Sequence, residues 1–103
     1  MKESPYEITA TARLDLLQIW NYFAENASTQ VADALLSDFE SAMEQLTEFP
    51  GLGHRREELT VRDVRFYLVN RYFIVYRIDR APINILRVIY ASRNVKKALK
   101  RHS

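Results

Sequence analysis

Residues 64–90 read VRFYLVNRYFIVYRIDRAPINILRVIY, and this stretch decides the fold. Apolar and polar residues alternate along it with the period of about two that is typical of β-strands. We predict three strands, Val64–Val69, Tyr72–Ile78 and Ile83–Tyr90. Asn70-Arg71 is the only connection between the first two strands, and it suits a tight hairpin turn because asparagine tolerates positive φ. Three closely spaced consecutive strands predict an antiparallel meander.

The first half of the chain has helical periodicity instead. We predict a short strand over Tyr6–Thr9 and a helix over 10–27, in which Leu16, Ile19, Trp20 and Phe23 share one face. A second helix is predicted over 30–48, with Ser28 or Thr29 as its N-cap. Its apolar seam consists of Leu35, Phe39, Ala42, Leu46 and Phe49. The short connection between the helices predicts an antiparallel helical hairpin.

These elements together predict an α+β fold. An N-terminal strand is followed by a helical hairpin that packs on a small antiparallel sheet, in the order β-α-α-β-β-β. The tail, 93–101, is predicted to be helical in part. With 103 residues, of which 48% are hydrophobic and 27% charged, we expect residues 1–103 to form one globular domain.

The composition also excludes several classes of protein. The chain has no cysteine, which excludes a disulfide scaffold and a thiol nucleophile and suits a reducing cytoplasm. No stretch has the apolar length of a signal peptide or a membrane span, so we expect a cytoplasmic protein without membrane contact. His54 and His102 have no second metal-type ligand at useful spacing, and no glycine-rich phosphate loop occurs. We therefore expect no metal and no cofactor.

Charge is divided sharply along the chain. Residues 1–50 carry two basic and nine acidic side chains, a net charge of −7, whereas residues 51–103 carry thirteen and four, a net charge of +9. If the helices cover one sheet face, the other face is left open within the basic half. Arg65, Arg77, Arg87 and Arg93 then form a cationic patch for nucleic acid or an acidic protein surface. The alternative is a set of solvated arginines that prevent edge aggregation.

Tyr90 ends the last predicted strand close to Arg93. A phenol both donates and accepts a proton, so Tyr90 is a candidate general acid or base. Its ordinary pKa near 10 is poorly placed for a base. The alternative is a tyrosine that covers the edge of the core and keeps its hydroxyl group in water.

The order of these elements, together with their residues, resembles the RelE/ParE superfamily of toxins from bacterial toxin–antitoxin pairs, and the ParE branch in particular. The resemblance extends over about residues 8–94. It is carried by DLLQIWNY (15–22), FPGLGHRREEL (49–59), VR (64–65), FIVYRI (73–78) and INILRVIYASRN (83–94). It implies a small toxin that inhibits growth until a cognate antitoxin wraps and neutralises it, in a toxin–antitoxin hetero-oligomer.

The superfamily divides by target. RelE-like members cleave mRNA on the ribosome with basic residues on the open sheet face, whereas ParE-like members lack that set and poison DNA gyrase. The RelE lysine and arginine positions on the middle strands fall here on Val64, Phe66 and Phe73, and the tail aromatic position falls on Leu99. Metal-free RNA cleavage needs a base, an acid and cations for the phosphate. The resemblance therefore favours a gyrase inhibitor that is not an enzyme.

Site residues follow from this interpretation. The predicted target-binding residues are Arg65, Arg77, Arg87, Tyr90, Arg93, Lys96 and Lys97. The predicted antitoxin-binding residues are Trp20, Leu36, Met43, Arg77 and Arg87, with an acidic or amphipathic antitoxin segment as the partner. Two alternatives stay open. One is a ribosome-dependent endoribonuclease that uses Arg65, Arg77, Tyr90 and Arg93, and the other is a plain nucleic-acid-binding module.

Overall fold

The predicted α+β fold is confirmed by a computed structural model, which describes residues 5–79, 81–92 and 94–100, the side chain of Lys100 excepted. The elements in chain order are β1 (Tyr6–Ile8), α1 (Ala10–Asn26), α2 (Thr29–Glu48), a 3-10 turn (Pro50–Leu52), β2 (Arg65–Val69), β3 (Tyr72–Arg77), β4 (Ile83–Tyr90) and α3 (Val95–Lys100). None of these helices is both long enough and apolar enough to cross a membrane.

The sheet has the strand order β1-β4-β3-β2. The antiparallel meander β2-β3-β4 is confirmed, and Asn70 in its first turn adopts a positive φ of 56°. The additional pairing is that of β1, which runs parallel to β4 from Tyr6 opposite Ile83 to Ile8 opposite Ile85. The chain between β1 and β4 contains the helical hairpin and the strands β2 and β3, and this long connection allows the two strands to run parallel.

The helical hairpin covers one face of the sheet. Both helices begin as their sequences favour, with Thr9 accepting a hydrogen bond from the Ala12 amide and Ser28 accepting one from the Val31 amide, each at 3.1 Å. The core between the hairpin and the sheet includes Phe39, Ala42, Met43, Leu46, Ile74, Tyr76, Ile85 and Val88. This packing fixes the position of α1 and α2 over β3 and β4.

Two predictions about α2 are wrong. Met43 was predicted to contact an antitoxin, but its side chain is 1% exposed, because a position four residues after Phe39 and three before Leu46 faces the core. Phe49 was placed at the end of the apolar seam, but α2 ends at Glu48 and Phe49 is 58% exposed. The buried stripe of α2 is therefore wider than the predicted seam and ends at Leu46.

The second face of the sheet was predicted to be open, and this prediction is also wrong. The short helix α3 packs against it through an apolar stripe, Val95, Ala98 and Leu99, spaced three and four residues apart. The residues beneath α3 are Val64, which directly precedes β2, and the strand residues Phe66, Val75 and Ile89, all buried. Strands that are buried on both faces show weaker alternation, which is why residues 73–76 form a continuous apolar run.

Tyr76 fixes the loop that follows α2 to the sheet. Its hydroxyl group donates a hydrogen bond to the Pro50 carbonyl oxygen at 2.6 Å and accepts one from the Gly53 amide at 2.9 Å. An added Cβ at Gly53 would lie 2.5 Å from the Tyr76 hydroxyl oxygen and 2.9 Å from the Phe66 carbonyl oxygen. The close approach of loop and strand therefore requires glycine at position 53.

Gly53→Ala is expected to lower the free energy of unfolding by about 1–3 kcal/mol, the usual cost of forcing an extra group into a packed site. Gly51→Ala is the matched control, because an added Cβ at Gly51 meets no atom within 4 Å. We expect that control to change stability by less than about 0.5 kcal/mol. Urea denaturation of both variants measures the difference, and equal midpoints would contradict the proposed close approach.

Candidate functional site

Arg87 lies at the centre of a buried polar network. Its Nε donates a hydrogen bond to Asp15 Oδ2 at 2.8 Å, and its Nη2 donates to Asp15 Oδ1 at 3.0 Å. Its Nη1 donates to the Ala98 carbonyl oxygen in α3 at 3.1 Å. Both charged side chains are only 11% exposed. The guanidinium group therefore joins α1, β4 and α3, and bidentate geometry makes this a strong ion pair.

The network exists because β1 is short. Its pairing with β4 ends at Ile85, so the next part of β4 has a free edge. Asp15 from α1 occupies that edge, and its Oδ2 accepts a hydrogen bond from the Val88 amide at 2.9 Å. The prediction that Arg87 binds a target or an antitoxin from an open face is wrong, because its side chain is buried and bonded to α1 and α3.

The other predicted strand arginines do not form a shared patch. Arg65 is opposite Tyr76 in the sheet register, so Arg65 and Arg77 point to opposite faces. Arg65 donates a hydrogen bond to the Gly53 carbonyl oxygen at 3.3 Å, and Arg77 forms an ion pair with Asp79. Both side chains are half-buried. Their roles in target or antitoxin binding stay predictions, without the common surface that was expected.

Arg55 and Arg56 of the 54–63 loop are also paired locally. Arg56 lies 2.7 Å from Glu58, and Arg55 lies 4.0 Å from Glu57 and 3.8 Å from Asp63. Hydrogen bonding to Arg56 lowers the pKa of the Glu58 carboxyl group. Within the described structure, Arg55, Arg56 and Arg77 of the basic half are therefore paired with acidic residues of the same half.

In α3, Lys96 and Lys97 have exposed side chains. Their role in target binding stays a prediction. Arg93, the fourth arginine of the predicted patch, lies outside the described residues.

A second apolar core lies between the sheet and α3. It contains the positions that carry cations in RelE-like nucleases, which are Val64, Phe66 and Phe73 in this chain. Val64 and Phe66 are 4% and 3% exposed, and the Phe66 and Phe73 rings pack edge to face with their centroids 5.5 Å apart. Leu99, at the tail aromatic position, is 3% exposed. These side chains lie between the sheet and α3 and have no group that stabilises phosphate charge.

Tyr90 is exposed at the end of β4. Hydrogen bonds to Ser92 and to Arg71 in the β2–β3 turn lower the pKa of its phenol. Its ring lies 5.3 Å from that of Tyr72. Tyr90 is therefore accessible and polarised, and Arg71 is its basic neighbour within the described structure.

An apolar groove lies beside Tyr90, between the tip of the helical hairpin and the end of the sheet. We name it the aromatic groove, and its volume is about 910 Å³. Its main apolar residues are Tyr22, Phe23, Val31, Leu35, Tyr72 and Tyr90. Sequence reasoning missed the groove because the helical hairpin, α1 and α2, forms it together with β3 and β4, which are distant in the chain. The available signal was the excess of aromatic residues near the ends of α1, β3 and β4.

The two remaining antitoxin-binding predictions fall on the helical hairpin. Trp20 donates a hydrogen bond from its indole Nε1 to Asp33 Oδ1 at 2.8 Å, which ties α1 to α2. Leu36 is half-buried on α2. Neither residue lines the aromatic groove, and their roles stay predictions. Within the described residues, no group of three or more histidine or acidic side chains is placed to hold a metal ion.

Comparison with known proteins now identifies the family. The profile of the ParE toxin of type II toxin–antitoxin system, parDE, matches residues 6–95. The chain belongs to the ParE toxin family. This confirms the resemblance to the ParE branch of the RelE/ParE superfamily.

Two curated ParE relatives come from Caulobacter vibrioides. Toxin ParE1 is 26% identical over 95 residues, which is 92% of this chain and 97% of the relative. Toxin ParE3 is 31% identical over 85 residues, which is 82% of this chain and 84% of the relative. A solved structure of the chromosomal ParDE TA system from P. aeruginosa has the same fold, with a TM-score of 0.72 and 21% identity over 82% of this chain and 92% of that chain.

Proposed function

We propose that this ParE-family chain inhibits DNA gyrase by binding, in the cytoplasm, and that a cognate antitoxin neutralises it in a toxin–antitoxin hetero-oligomer. The observation that carries the choice of target is the second core. Val64 and Phe66, which stand where the RelE pattern has its nuclease residues, are packed under α3, and Leu99, at the tail aromatic position, packs against them from α3 itself. A nuclease needs cations and a proton acceptor on an accessible surface there.

The ParE relatives support the antitoxin part of the proposal. One curated relative is 31% identical over 85 residues, and the solved structure with the same fold comes from a ParDE TA system. Antitoxin binding would account for large apolar side chains that are exposed in this chain alone, such as Tyr22 and Val31.

One observation favours the endoribonuclease alternative. Tyr90 is exposed, its pKa is lowered by hydrogen bonds to Ser92 and Arg71, and a tyrosine with this environment is suited to proton transfer. The cations that an endoribonuclease needs are still missing, because the corresponding positions are the apolar residues Val64, Phe66 and Phe73. The endoribonuclease alternative therefore depends on Tyr90, which makes this residue the best place to separate the two functions.

Tyr90→Phe is expected to leave growth inhibition within about 3-fold of the unchanged protein, because the ring remains in the groove and only the hydroxyl group is lost. Loss of a proton-transfer group would instead lower activity by about 10²–10⁴-fold. Tyr22→Phe, at another exposed tyrosine, is the matched control. Induced expression in a bacterial host measures growth, and primer extension on mRNA measures cleavage.

The same host tests neutralisation. Co-expression of a cognate antitoxin should restore growth, and a short reading frame beside this gene is the place to look for it. A folded but non-toxic Tyr90→Phe protein, together with codon-dependent mRNA cuts by the unchanged protein, would overturn the gyrase proposal in favour of the nuclease.

A further inference from the structure

The outward face of α1 carries a strip of residues with heptad spacing. Ala10, Leu14, Leu17, Asn21 and Ala24 are separated by four, three, four and three positions. Leu14 and Leu17 are 52% and 55% exposed, and the side chains of Ala10 and Asn21 are exposed as well. None of these five residues lines the aromatic groove. We name them the outer seam, which is a separate surface of the helical hairpin.

The fold itself does not use the outer seam. α1 packs on the sheet and on α2 through its opposite side, where Ala12 is buried and Leu16 and Ile19 are half-buried against the same core. One apolar stripe is sufficient to hold a helix on a sheet. Leu14 and Leu17, on the other side, leave water only when another molecule covers them. The outer seam therefore has the character of an interaction surface.

We propose that the outer seam pairs with the outer seam of a second copy of this chain, with the two α1 helices parallel about a twofold axis. Apolar residues that recur every 3.5 positions on average are typical of helices that pair along a seam. Leu14 and Asn21 take the a positions of the heptad, and Ala10, Leu17 and Ala24 take the d positions. The pairing goes beyond the proposed function, which gives these residues no role.

Asn21 is the reason to choose a second copy as the partner. Its amide both donates and accepts hydrogen bonds, so two Asn21 side chains that face each other across a twofold axis satisfy one another. A single asparagine at an a position fixes the register and the number of strands in a parallel pair of helices, at a cost in stability. An unrelated apolar partner gains nothing from a polar residue within the contact.

The charges beside the outer seam permit this pairing. In a parallel pair, position g of one helix faces position e of the other. Arg13 then faces Gln18 of the second copy, and Trp20 faces Glu25, so no like charges of α1 are opposed. By contrast, Thr29–Glu48 in α2 carries five acidic and no basic side chains, and two such faces would repel each other. The outer seam is therefore the self-complementary surface of the helical hairpin.

Sedimentation equilibrium of the full chain without antitoxin tests the pairing. The contact is small, since α1 has 17 residues and is about 25 Å long, so we expect a weak dimer with a Kd in the micromolar range. Leu17→Glu should weaken the dimer by at least about 10-fold, because it places two carboxylates opposite each other in the seam. Val31→Glu is the matched control, because Val31 is 46% exposed on α2 and lines the aromatic groove instead.

Chemical crosslinking tests the parallel arrangement. The chain has no cysteine, so a single introduced thiol is a clean probe. Leu14→Cys and Asn21→Cys should each give a covalent dimer with a short bis-maleimide, because parallel helices place both residues next to their own counterparts. Ser41→Cys, exposed on α2, is the control and should stay monomeric. Crosslinking at only one of the two seam positions would contradict the parallel pairing.

Asn21→Leu should have the opposite effect to Leu17→Glu. An apolar residue at this a position removes the cost of the buried amide, so the association should tighten by at least about 10-fold. A protein that is monomeric at every soluble concentration, or equal Kd values for the Leu17→Glu and unchanged proteins, would overturn the proposal. A monomer whose Leu17→Glu variant binds an antitoxin more weakly would assign the outer seam to the antitoxin and overturn it too.

These experiments contain no gyrase, so they separate this inference from the proposed function. A dimer that behaves as expected but leaves gyrase active keeps the outer seam and removes the function. A monomeric protein that inhibits gyrase keeps the function and removes the outer seam. Circular dichroism confirms that each variant is folded before its Kd is compared.

Discussion

Arg87→Ala is expected to lower the free energy of unfolding by about 3–5 kcal/mol, the cost of removing one partner from a buried ion pair. The change leaves Asp15 with the Val88 amide but without its charged partner, and it removes the hydrogen bond to the Ala98 carbonyl oxygen. Three elements, α1, β4 and α3, lose their common contact. Guanidinium denaturation followed by circular dichroism measures the change.

Two further variants make the result specific. Arg77→Ala removes an ion pair whose arginine is 40% and aspartate 46% exposed, and such exposed pairs contribute little to stability. Replacing the buried pair together, Asp15→Leu with Arg87→Met, should recover much of the loss because no unpaired charge remains. An Arg87→Ala effect as small as that of Arg77→Ala would show that the buried network does not stabilise the fold.

Phe39→Ala is expected to lower the free energy of unfolding by about 3–5 kcal/mol, the usual cost of deleting a buried phenylalanine. Phe39 is 1% exposed and packs edge to face on Tyr72, with ring centroids 5.5 Å apart. The cavity would lie between α2 and β3, where packed elements on both sides limit collapse. Denaturant midpoints measure the loss.

Phe49→Ala is the matched control for this change, because Phe49 is 58% exposed beyond the end of α2. We expect a change below about 1 kcal/mol. If the two alanine variants have the same midpoint, the apolar seam of α2 does not form the core as described.

Local pattern was sufficient to predict most of the elements. The period of two in residues 64–90, the two-residue turn with Asn70 and the N-cap of α2 at Ser28 depend on neighbours a few positions apart. Such features follow from steric preference and local hydrogen bonding, which the sequence displays directly. The order of helices and strands, and the family resemblance that it supports, followed from them.

Apart from Met43 and Phe49 in and after α2, the errors concern contacts between distant parts of the chain. Arg87, in an apolar strand, was interpreted as a surface residue. Its partner Asp15 lies 72 positions earlier, and nothing in the spacing of the sequence links the two residues. The open sheet face was inferred without knowing where α3 would pack. The aromatic groove depends on the angle between the helical hairpin and the sheet, which packing decides and periodicity does not.

The most direct test of the proposed function is DNA supercoiling by purified gyrase in the presence of this protein. We expect inhibition of supercoiling or trapped gyrase–DNA cleavage complexes at a stoichiometric or modest excess of the protein, reversed by the antitoxin, while ribosome-bound mRNA in a parallel reaction stays intact. Heat-denatured protein serves as the inactive control. Undisturbed supercoiling together with cleaved mRNA would contradict the gyrase proposal.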